Sequence, residues 1–497
     1  MFNLPSSEND PSPLPIEEGL AQHLTQWGLR EFFQERDYYA WQKQSLSSEV
    51  LHRLNGLAEK RQGGLDPECD RKFYDLASSS MVLPVLYSQR FAYYRTVGVA
   101  ISQCLEPGKY VLDFGCGVGI LTTWYASMFP DCTFTGVDRS SQSIEVARQR
   151  AEVMKLENIS FHSCVVPQDQ PSETFDVIIS TQALFQSESD PGIPSRSWES
   201  FQRDDDLGQQ RDYETRTGIG ERLDWLLARM NPLGHLLAFE KACHLGRRVL
   251  LQRAFAARGL CCERDPLFLR YALMEERILD GPMYVLSRQH SAVAFDEHPL
   301  IDPRARVYRC QGKNAEWVWS KFSTHGSLEL PVQARWENQD IQWQMCRTEA
   351  GVLCGRFFVP DVFAGVLVGL HEDEELLKSI FDDVLQARCS GKAPQEVFRD
   401  IWIAEESLES QWIPLYENHS ASAEDVWGGL IGRVIQREIT QEGSGGQQYH
   451  VELGHCAGQL AYLYWANTFD QRQLVIMEVE RQHILEKYFS NSGVDGE

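Results

Sequence analysis

Between residues 15 and 60, apolar positions recur at the three- to four-residue spacing of amphipathic helices: Leu20, Ala21, Leu24, Trp27 and Leu29, then Val50, Leu51, Leu54 and Leu57. Two or three helices are predicted there. Gly63, Gly64 and Pro67 interrupt the pattern, and a second helical stretch is expected from 73 to 105. From Tyr110 the period changes. Short apolar runs at 110–114, 133–137, 159–162, 176–180 and 235–240 read as strands, and between them Leu121, Trp124, Tyr125 and Met128, then Ile144, Ala147, Ala151 and Met154, then Leu223, Leu226, Leu227 and Met230 sit at helical spacing. Strands and helices in strict alternation predict an α/β fold, a doubly wound and mostly parallel sheet. A helix at 246–258 and runs at 267–276 and 283–287, flanking Asp280-Gly281-Pro282, predict a closing antiparallel hairpin, so the unit is expected to end near 290.

Beyond 290 the texture is α+β, with many tryptophans and two acidic helices. Ala315-Glu316-Trp317-Val318-Trp319 resembles Ala423-Glu424-Asp425-Val426-Trp427 at an offset of 108. Trp343, Phe358, Phe363, Leu370 and Glu372 align with Tyr449, Tyr464, Phe469, Ile476 and Glu478 at 106. Two tandem repeats, 303–390 and 411–490, each running helix, strand pair, helix, are one reading, and chance similarity of composition is the other. The expected organisation is an N-terminal helical extension (1–84), a sheet domain (85–290) and an acidic C-terminal region (291–497).

The charge narrows the partners. Across 497 residues, 47 Lys and Arg stand against 71 Asp and Glu, a net charge of −24, most of it beyond residue 290. Such acidity repels phosphate backbones and anionic membranes, so neither nucleic acid nor membrane is an expected partner. No leader-like or membrane-spanning run stands out, and thirteen widely spaced cysteines without a Cys-x-x-Cys pair fit reduced thiols in a cytoplasmic protein, with no metal site.

The chemistry concentrates at Val111-Leu112-Asp113-Phe114-Gly115-Cys116-Gly117-Val118-Gly119, an apolar strand ending in an acid and running into alternating glycines. Glycines there let a ligand approach the backbone where any side chain would collide. A dinucleotide fingerprint needs its third glycine one residue later, where Ile120 stands. An acid two residues before the first glycine repels phosphate and attracts an ammonium or sulfonium. The next strand closes with Gly136-Val137-Asp138, placing a carboxylate where it can accept both ribose hydroxyls. Adenosine with a positive amino-acid tail is implied.

These residues resemble the motifs of the class I S-adenosylmethionine-dependent methyltransferases, whose sheet is Rossmann-like. The resemblance covers 85–290 and extends to Phe175-Asp176-Val177-Ile178-Ile179-Ser180 as the fourth strand and Met230-Asn231-Pro232-Leu233-Gly234 as the turn into the fifth. It implies S-adenosyl-L-methionine as cofactor. By this resemblance Asp113, Gly115, Gly117 and Gly119 hold the methionine moiety and Asp138 the ribose, with Cys116, Arg139 and Thr181 beside them. Many relatives place an acid after the third strand against adenine. Here Cys164-Val165-Val166 stands instead, so adenine would meet Val165 through apolar and main-chain contacts.

Upstream, Arg90-Phe91-Ala92-Tyr93-Tyr94-Arg95 resembles the helix before this motif in protein arginine methyltransferases, which implies Arg90 on the cofactor carboxylate. That family also carries two glutamates after the fourth strand. This chain has Gln182 where the first is expected and no clean second, and Thr324-His325-Gly326 only partly echoes the family's Thr-His-Trp loop. Residues 188–218, long and polar, must follow the carboxyl end of the fourth strand, where ligands bind in open α/β sheets, and are expected to form a substrate lid or a solvated loop. Methyl transfer needs alignment more than a base. Glu188, Tyr213 and Glu240 are the candidates if a base exists, with His162 and His235 behind them. The expected function is methyl transfer to a small molecule or peptide. Alternatives are arginine-type protein methylation and a non-catalytic, cofactor-binding scaffold. The C-terminal region is expected to shape the acceptor site, pair subunits as a homodimer, or serve as an interaction surface.

Overall fold

The computed structural model describes residues 16–62, 67–169, 173–185, 190–274, 276–289, 291–299, 303–328, 332–336, 339–359, 363–389, 413–443, 447–457 and 459–492. The chain divides into two compact units, the second comprising Ile193–Asp205 and Glu297–Glu497.

The first unit opens with six helices, α1 (Ile16–Gln26), α2 (Glu35–Ser45), α3 (Ser48–Gln62), α4 (Pro67–Ala77), α5 (Leu83–Ser88) and α6 (Phe91–Ser102). The apolar face of α1 is buried: Leu20, Leu24 and Trp27 join Val97, Ile101, Val111, Trp124 and Phe134 in one core. Gly98 makes this approach close, since a Cβ there would stand 2.7 Å from Leu20 and 2.9 Å from Leu121. The alternation follows, with β1 (Tyr110–Phe114), α7 (Ile120–Met128), β2 (Thr133–Asp138), α8 (Ser141–Val153), β3 (Ile159–Ser163), β4 (Phe175–Thr181), α9 (Leu207–Thr217), α10 (Ile219–Leu227), β5 (Met230–Phe239) and α11 (Leu245–Ala256). Then come β6 (Cys261–Cys262), β7 (Leu267–Leu273) and β8 (Glu276–Ser287). The strand order is β3-β2-β1-β4-β5-β8-β6, with β7 on β8. The first five strands are parallel and β8 is antiparallel to β5. The order reverses direction between β1 and β4, so the crevice for a ligand lies beyond their carboxyl ends.

Two predicted boundaries shift. Asp280-Gly281-Pro282 lies within β8, not in the turn, which falls beside Met274 at φ +56°. The register shift between Leu267 and Leu269 absorbs the irregularity. Likewise β5 starts at Met230, paired with Phe175, so the expected turn into it is already strand.

In the second unit, one sheet has the order β10-β12-β13-β14-β9 with β11 on β12, from β9 (Tyr308–Gln311), β10 (Ser327–Leu328), β11 (Val332–Trp336), β12 (Gln339–Arg347), β13 (Val352–Val359) and β14 (Phe363–Leu370). The other has the order β15-β19-β18-β17-β16, from β15 (Tyr416–Asn418), β16 (Arg433–Glu442), β17 (Gln448–Cys456), β18 (Leu460–Asn467) and β19 (Arg472–Glu478). The connectivity is the same in both: a strand, a helix (Gly312–His325 or Ser422–Gly429), an antiparallel meander whose last strand pairs back onto the first, a 3-10 turn and a closing helix. The closing helices begin at Glu374 and Gln482, an offset of 108. The aromatic alignment at 106 is therefore out of register by two, and each half holds a full meander where a strand pair was expected. Tyr308 and Tyr416, which occupy equivalent strands, meet at 6.1 Å between ring centroids.

The segment Ile193–Asp205 belongs to this unit. The Ser195 amide donates to the Thr468 carbonyl at 2.7 Å. Arg203 forms a buried ion pair with Asp470, Arg472 donates to the Trp198 carbonyl at 2.6 Å, and the Trp198 indole stacks on the His450 ring at 3.7 Å. So 188–218 is not a single open loop: its middle is bound into the second unit and its last third is α9, capped by the Asp206 carboxylate accepting from the Gly208 and Gln209 amides. Among the described residues no helix is long and apolar enough to cross a membrane.

Candidate functional site

The glycine loop joins the end of β1 to the first turn of α7. The Gly115 and Cys116 amides donate to the Val137 carbonyl, tying the loop to β2. Three glycines hold positive φ, each for its own reason. A Cβ on Gly115 would lie 2.4 Å from Ala183, and one on Gly119 would lie 2.9 Å from both Ala147 and Phe161. These two are steric necessities of packing. A Cβ on Gly117 would meet nothing within 4 Å, so bare backbone there faces open space.

Acids flank that space. Asp113, buried at the end of β1, accepts from the Thr122 hydroxyl at 2.5 Å. Burial, with Asp138 adding to it against the Thr122 bond, pushes the Asp113 carboxyl up to about 6. Asp138, at the end of β2, accepts from the Gly117 amide at 3.0 Å and the Ser140 amide at 2.8 Å. Burial raises its pKa as well, against those backbone bonds. Ser140 caps α8 and donates from its hydroxyl to Asp75 of α4 at 2.8 Å, so the N-terminal helices reach the rim. Cys116 is boxed beneath the loop, where burial pushes its thiol far up and leaves it an uncharged wall. Arg139 lies over the Tyr74 ring at 5.7 Å.

Beyond β4 the backbone is strained. Gln182 holds φ +54°, and its amide donates to the Phe239 carbonyl at 2.7 Å. The next two amides, of Ala183 and Leu184, donate to the Glu240 carboxylate at 3.0 and 2.9 Å. Arg222 donates to the carbonyls of the same two residues at 2.6 and 3.2 Å. Burial raises the Glu240 carboxyl to about 7, against those amides and Arg222. The Gln182 side chain accepts from Arg90 and donates to Asp280 at 3.0 Å, and Asp280 also accepts from the Tyr271 hydroxyl at 2.8 Å. The Arg90 guanidinium rests on the Tyr93 ring at 4.0 Å.

The fold thus brings Arg90, Asp113, Gly115, Cys116, Gly117, Gly119, Asp138 and Thr181 to one edge of the sheet. Several other expectations need correction. Val165 commits its amide to the Asp169 carboxylate, so its main-chain donor is not free for a ligand, while its exposed side chain and the second lone pair of its carbonyl are. Tyr213 is fully buried on α9 against Phe185, and burial holds its phenol protonated, so it is a core residue and not a base. Glu240 commits Oε1 to the Ala183 and Leu184 amides, and neither of those bonds engages Oε2. His235 pairs with Glu263 at 2.7 Å, and His162 lies exposed on β3 beside Ser160. Glu188 lies outside the described residues. Sequence reasoning missed Asp280, Tyr271 and Arg222. Only Asp280 carried a signal, an acid set against Gly-Pro.

A family model for a methyltransferase domain matches residues 105–203. The release factor glutamine methyltransferase of Aliivibrio fischeri is 30% identical over 146 residues, covering 28% of this chain and 50% of its own length. The (S)-coclaurine N-methyltransferase of Papaver somniferum is 29% identical over 80 residues, covering 16% and 23%. The chain spans half or less of the length of both. Among solved structures, the N-methyltransferase NodS from Bradyrhizobium japonicum, in complex with S-adenosyl-L-homocysteine, is 18% identical with a TM-score of 0.26, covering 38% of this chain and 84% of its own.

Proposed function

We propose that this chain, whose residues 105–203 match a methyltransferase-domain model, is a class I S-adenosylmethionine-dependent methyltransferase that transfers a methyl group to a small-molecule or peptide acceptor. One observation carries the reading: Gly117 presents bare backbone to open space with Asp113 and Asp138 beside it, and the donor set suits a cationic nucleoside and not a phosphate. Asp138 keeps lone pairs beyond its bonds to backbone amides for a pair of ribose hydroxyls. Asp113 offers a buried carboxylate to the positive tail, Arg90 a guanidinium to its carboxylate, and Val165 an apolar surface to adenine. Cys116, Arg139 and Thr181 complete the wall. When bound, the cofactor supplies an electrophilic methyl on sulfur, open to in-line displacement.

The chain's own residues align and desolvate the acceptor, which supplies the nucleophile. The relatives act, by their names, on a release factor and on coclaurine, and the chain's acidity favours such acceptors over RNA. Gln182, committed to Arg90 and Asp280, is not available to grip a guanidinium, which speaks against the arginine-type alternative.

Titration calorimetry with S-adenosylhomocysteine tests the cofactor. Binding is expected, and Asp138→Ala should weaken it by about 1–3 kcal/mol through lost charged hydrogen bonds. No heat from the wild-type protein, with no thermal shift, would overturn the reading. Mass spectrometry of a cell extract incubated with isotopically labelled S-adenosylmethionine identifies the acceptor. Label appearing only in RNA would overturn the acceptor class.

A further inference from the structure

Arg90, Gln182, Asp280 and Tyr271 form one chain of hydrogen bonds, drawn from the start of α6, the residue that follows β4, and positions within β8 and β7. The direction of the middle link is fixed by chemistry. A guanidinium can only donate, so the Gln182 oxygen faces Arg90 and its nitrogen faces the Asp280 carboxylate. Asp280 is itself held by the Tyr271 hydroxyl and by the Gly281 amide at 2.8 Å.

The Gln182 backbone is equally constrained. A left-handed conformation costs a non-glycine residue about 1 kcal/mol or more and persists only where its surroundings impose it. Here the Phe239 carbonyl takes the Gln182 amide, Glu240 takes the next two amides, and Arg222 takes the next two carbonyls. The buried Glu240 carboxyl and the half-buried Arg222 guanidinium therefore fix a turn whose product is the placement of one neutral amide.

We propose that Gln182 is a positioning residue for the cofactor, which holds the Arg90 guanidinium toward the methionine carboxylate with Asp280 and Tyr271 fixing its own orientation. This rests on the cofactor reading above. Neutrality is the point of the amide. It orients the guanidinium without cancelling its charge, and it satisfies Asp280 at the same time. A glutamate would pair with Arg90, compete with the cofactor carboxylate, and stand against Asp280 at the present 3.0 Å spacing.

The test is calorimetric, with S-adenosylhomocysteine as the probe and thermal unfolding in parallel. Wild-type binding is measured first, and its absence overturns the cofactor reading itself. With binding present, Gln182→Glu should weaken affinity about tenfold at pH 8 relative to wild type at that pH. The deficit should shrink toward about twofold near pH 5.5, where two facing carboxylates share a proton. Adding Asp280→Asn should recover part of the loss, because the repulsion is gone. Tyr271→Phe, which keeps the ring and removes one donor to Asp280, should cost about two- to threefold, since the lost bond reaches the cofactor only through Asp280, Gln182 and Arg90, and stands in should Gln182→Glu fail to fold. A purely structural role would lower the unfolding temperature and leave this pH pattern flat. Unchanged affinity in Gln182→Glu, or strictly additive effects of the two substitutions, would overturn the proposal.

Discussion

The Asp113 carboxyl gives the proposed pocket a pH dependence that can be worked out in advance. Burial lifts its pKa to about 6, so without a cation it is half protonated at that pH. A cationic tail favours the carboxylate and drives the group back toward its ordinary value near 4. Affinity then scales with the fraction already ionised. It should be highest above pH 7 and about tenfold weaker at pH 5, where about one molecule in eleven carries the charge, a difference of about 1.4 kcal/mol. Folding stability runs the other way. A carboxyl with a raised folded pKa binds more protons folded than unfolded, so its contribution falls as pH rises from about 4 to about 6, by about 3 kcal/mol in all for a site this buried. The assay is titration at pH 5, 6, 7 and 8, with buffers of different ionisation enthalpy at pH 6 to count the proton released. Asp113→Asn keeps an oxygen for the Thr122 hydroxyl, so it should fold, lose the pH 6 step, and bind about 1–3 kcal/mol more weakly at pH 8. Running S-adenosylmethionine beside S-adenosylhomocysteine separates a sulfonium contact from an ammonium contact, since only the first is absent from the demethylated nucleoside. An Asp113→Asn profile that follows wild type across this range would refute the argument.

Three further outcomes follow from the geometry. Gly117→Ala should barely move the unfolding temperature beyond the roughly 1 kcal/mol of left-handed strain, yet weaken cofactor binding because its methyl enters the open cradle, whereas Gly119→Ala should destabilise by about 1–3 kcal/mol through contact with Ala147 and Phe161; equal effects of the two on binding and stability would contradict the division of roles. Glu240→Gln keeps an acceptor for the Ala183 and Leu184 amides and removes a carboxyl lifted to about 7, so urea titrations should show the variant gaining on wild type between pH 5 and pH 8, by up to about 3 kcal/mol; a constant difference across that interval would show that the acid is not perturbed in the fold. Asp470→Asn removes the carboxylate paired with the buried Arg203 guanidinium, so the second unit should lose stability, by up to about 3–5 kcal/mol, and the amides of 193–205 should exchange faster, read by hydrogen exchange; unchanged protection there would mean the segment is held by other contacts.

How much of this was legible in the sequence depends on how far apart the cooperating residues lie. The alternation from Tyr110 was readable because β1, β2 and β4 are buried on both faces over most of their length and are short clusters of apolar and β-branched residues set between helical periods. Asp113 and Asp138 were readable because each ends its own strand beside the glycine loop, so neighbouring sequence carries the geometry. Glu240 drew notice as an acid at a strand end, but its partners are the amides of Ala183 and Leu184, and nothing in a sequence announces a backbone donor. Asp280 meets Gln182 across 98 residues of chain, and Gln182 drew notice only as a missing glutamate. Its left-handed backbone leaves no trace in composition.

The same limit explains the segment after β4. Serines, arginines and a tryptophan among aspartates read as a substrate lid or a solvated loop, because polarity is the ordinary signature of exposure. Here Ser195 satisfies the Thr468 carbonyl from 273 residues away, and Arg203 is buried against Asp470. Polar residues can be interior wherever their partners are supplied, and the supplier lies in a region that composition alone marked as separate. Any shortening of the chain disturbs this arrangement. Removing residues beyond 296 strips Trp198 of its stacking partner and Arg203 of its counter-charge while leaving both tethered between β4 and α9. A truncated chain that lost cofactor binding would therefore say nothing about whether the second unit touches the cofactor. Point substitutions at Asp470 or His450 in the full chain separate the two questions, since they each weaken one tie of the segment and leave the rest of the unit in place.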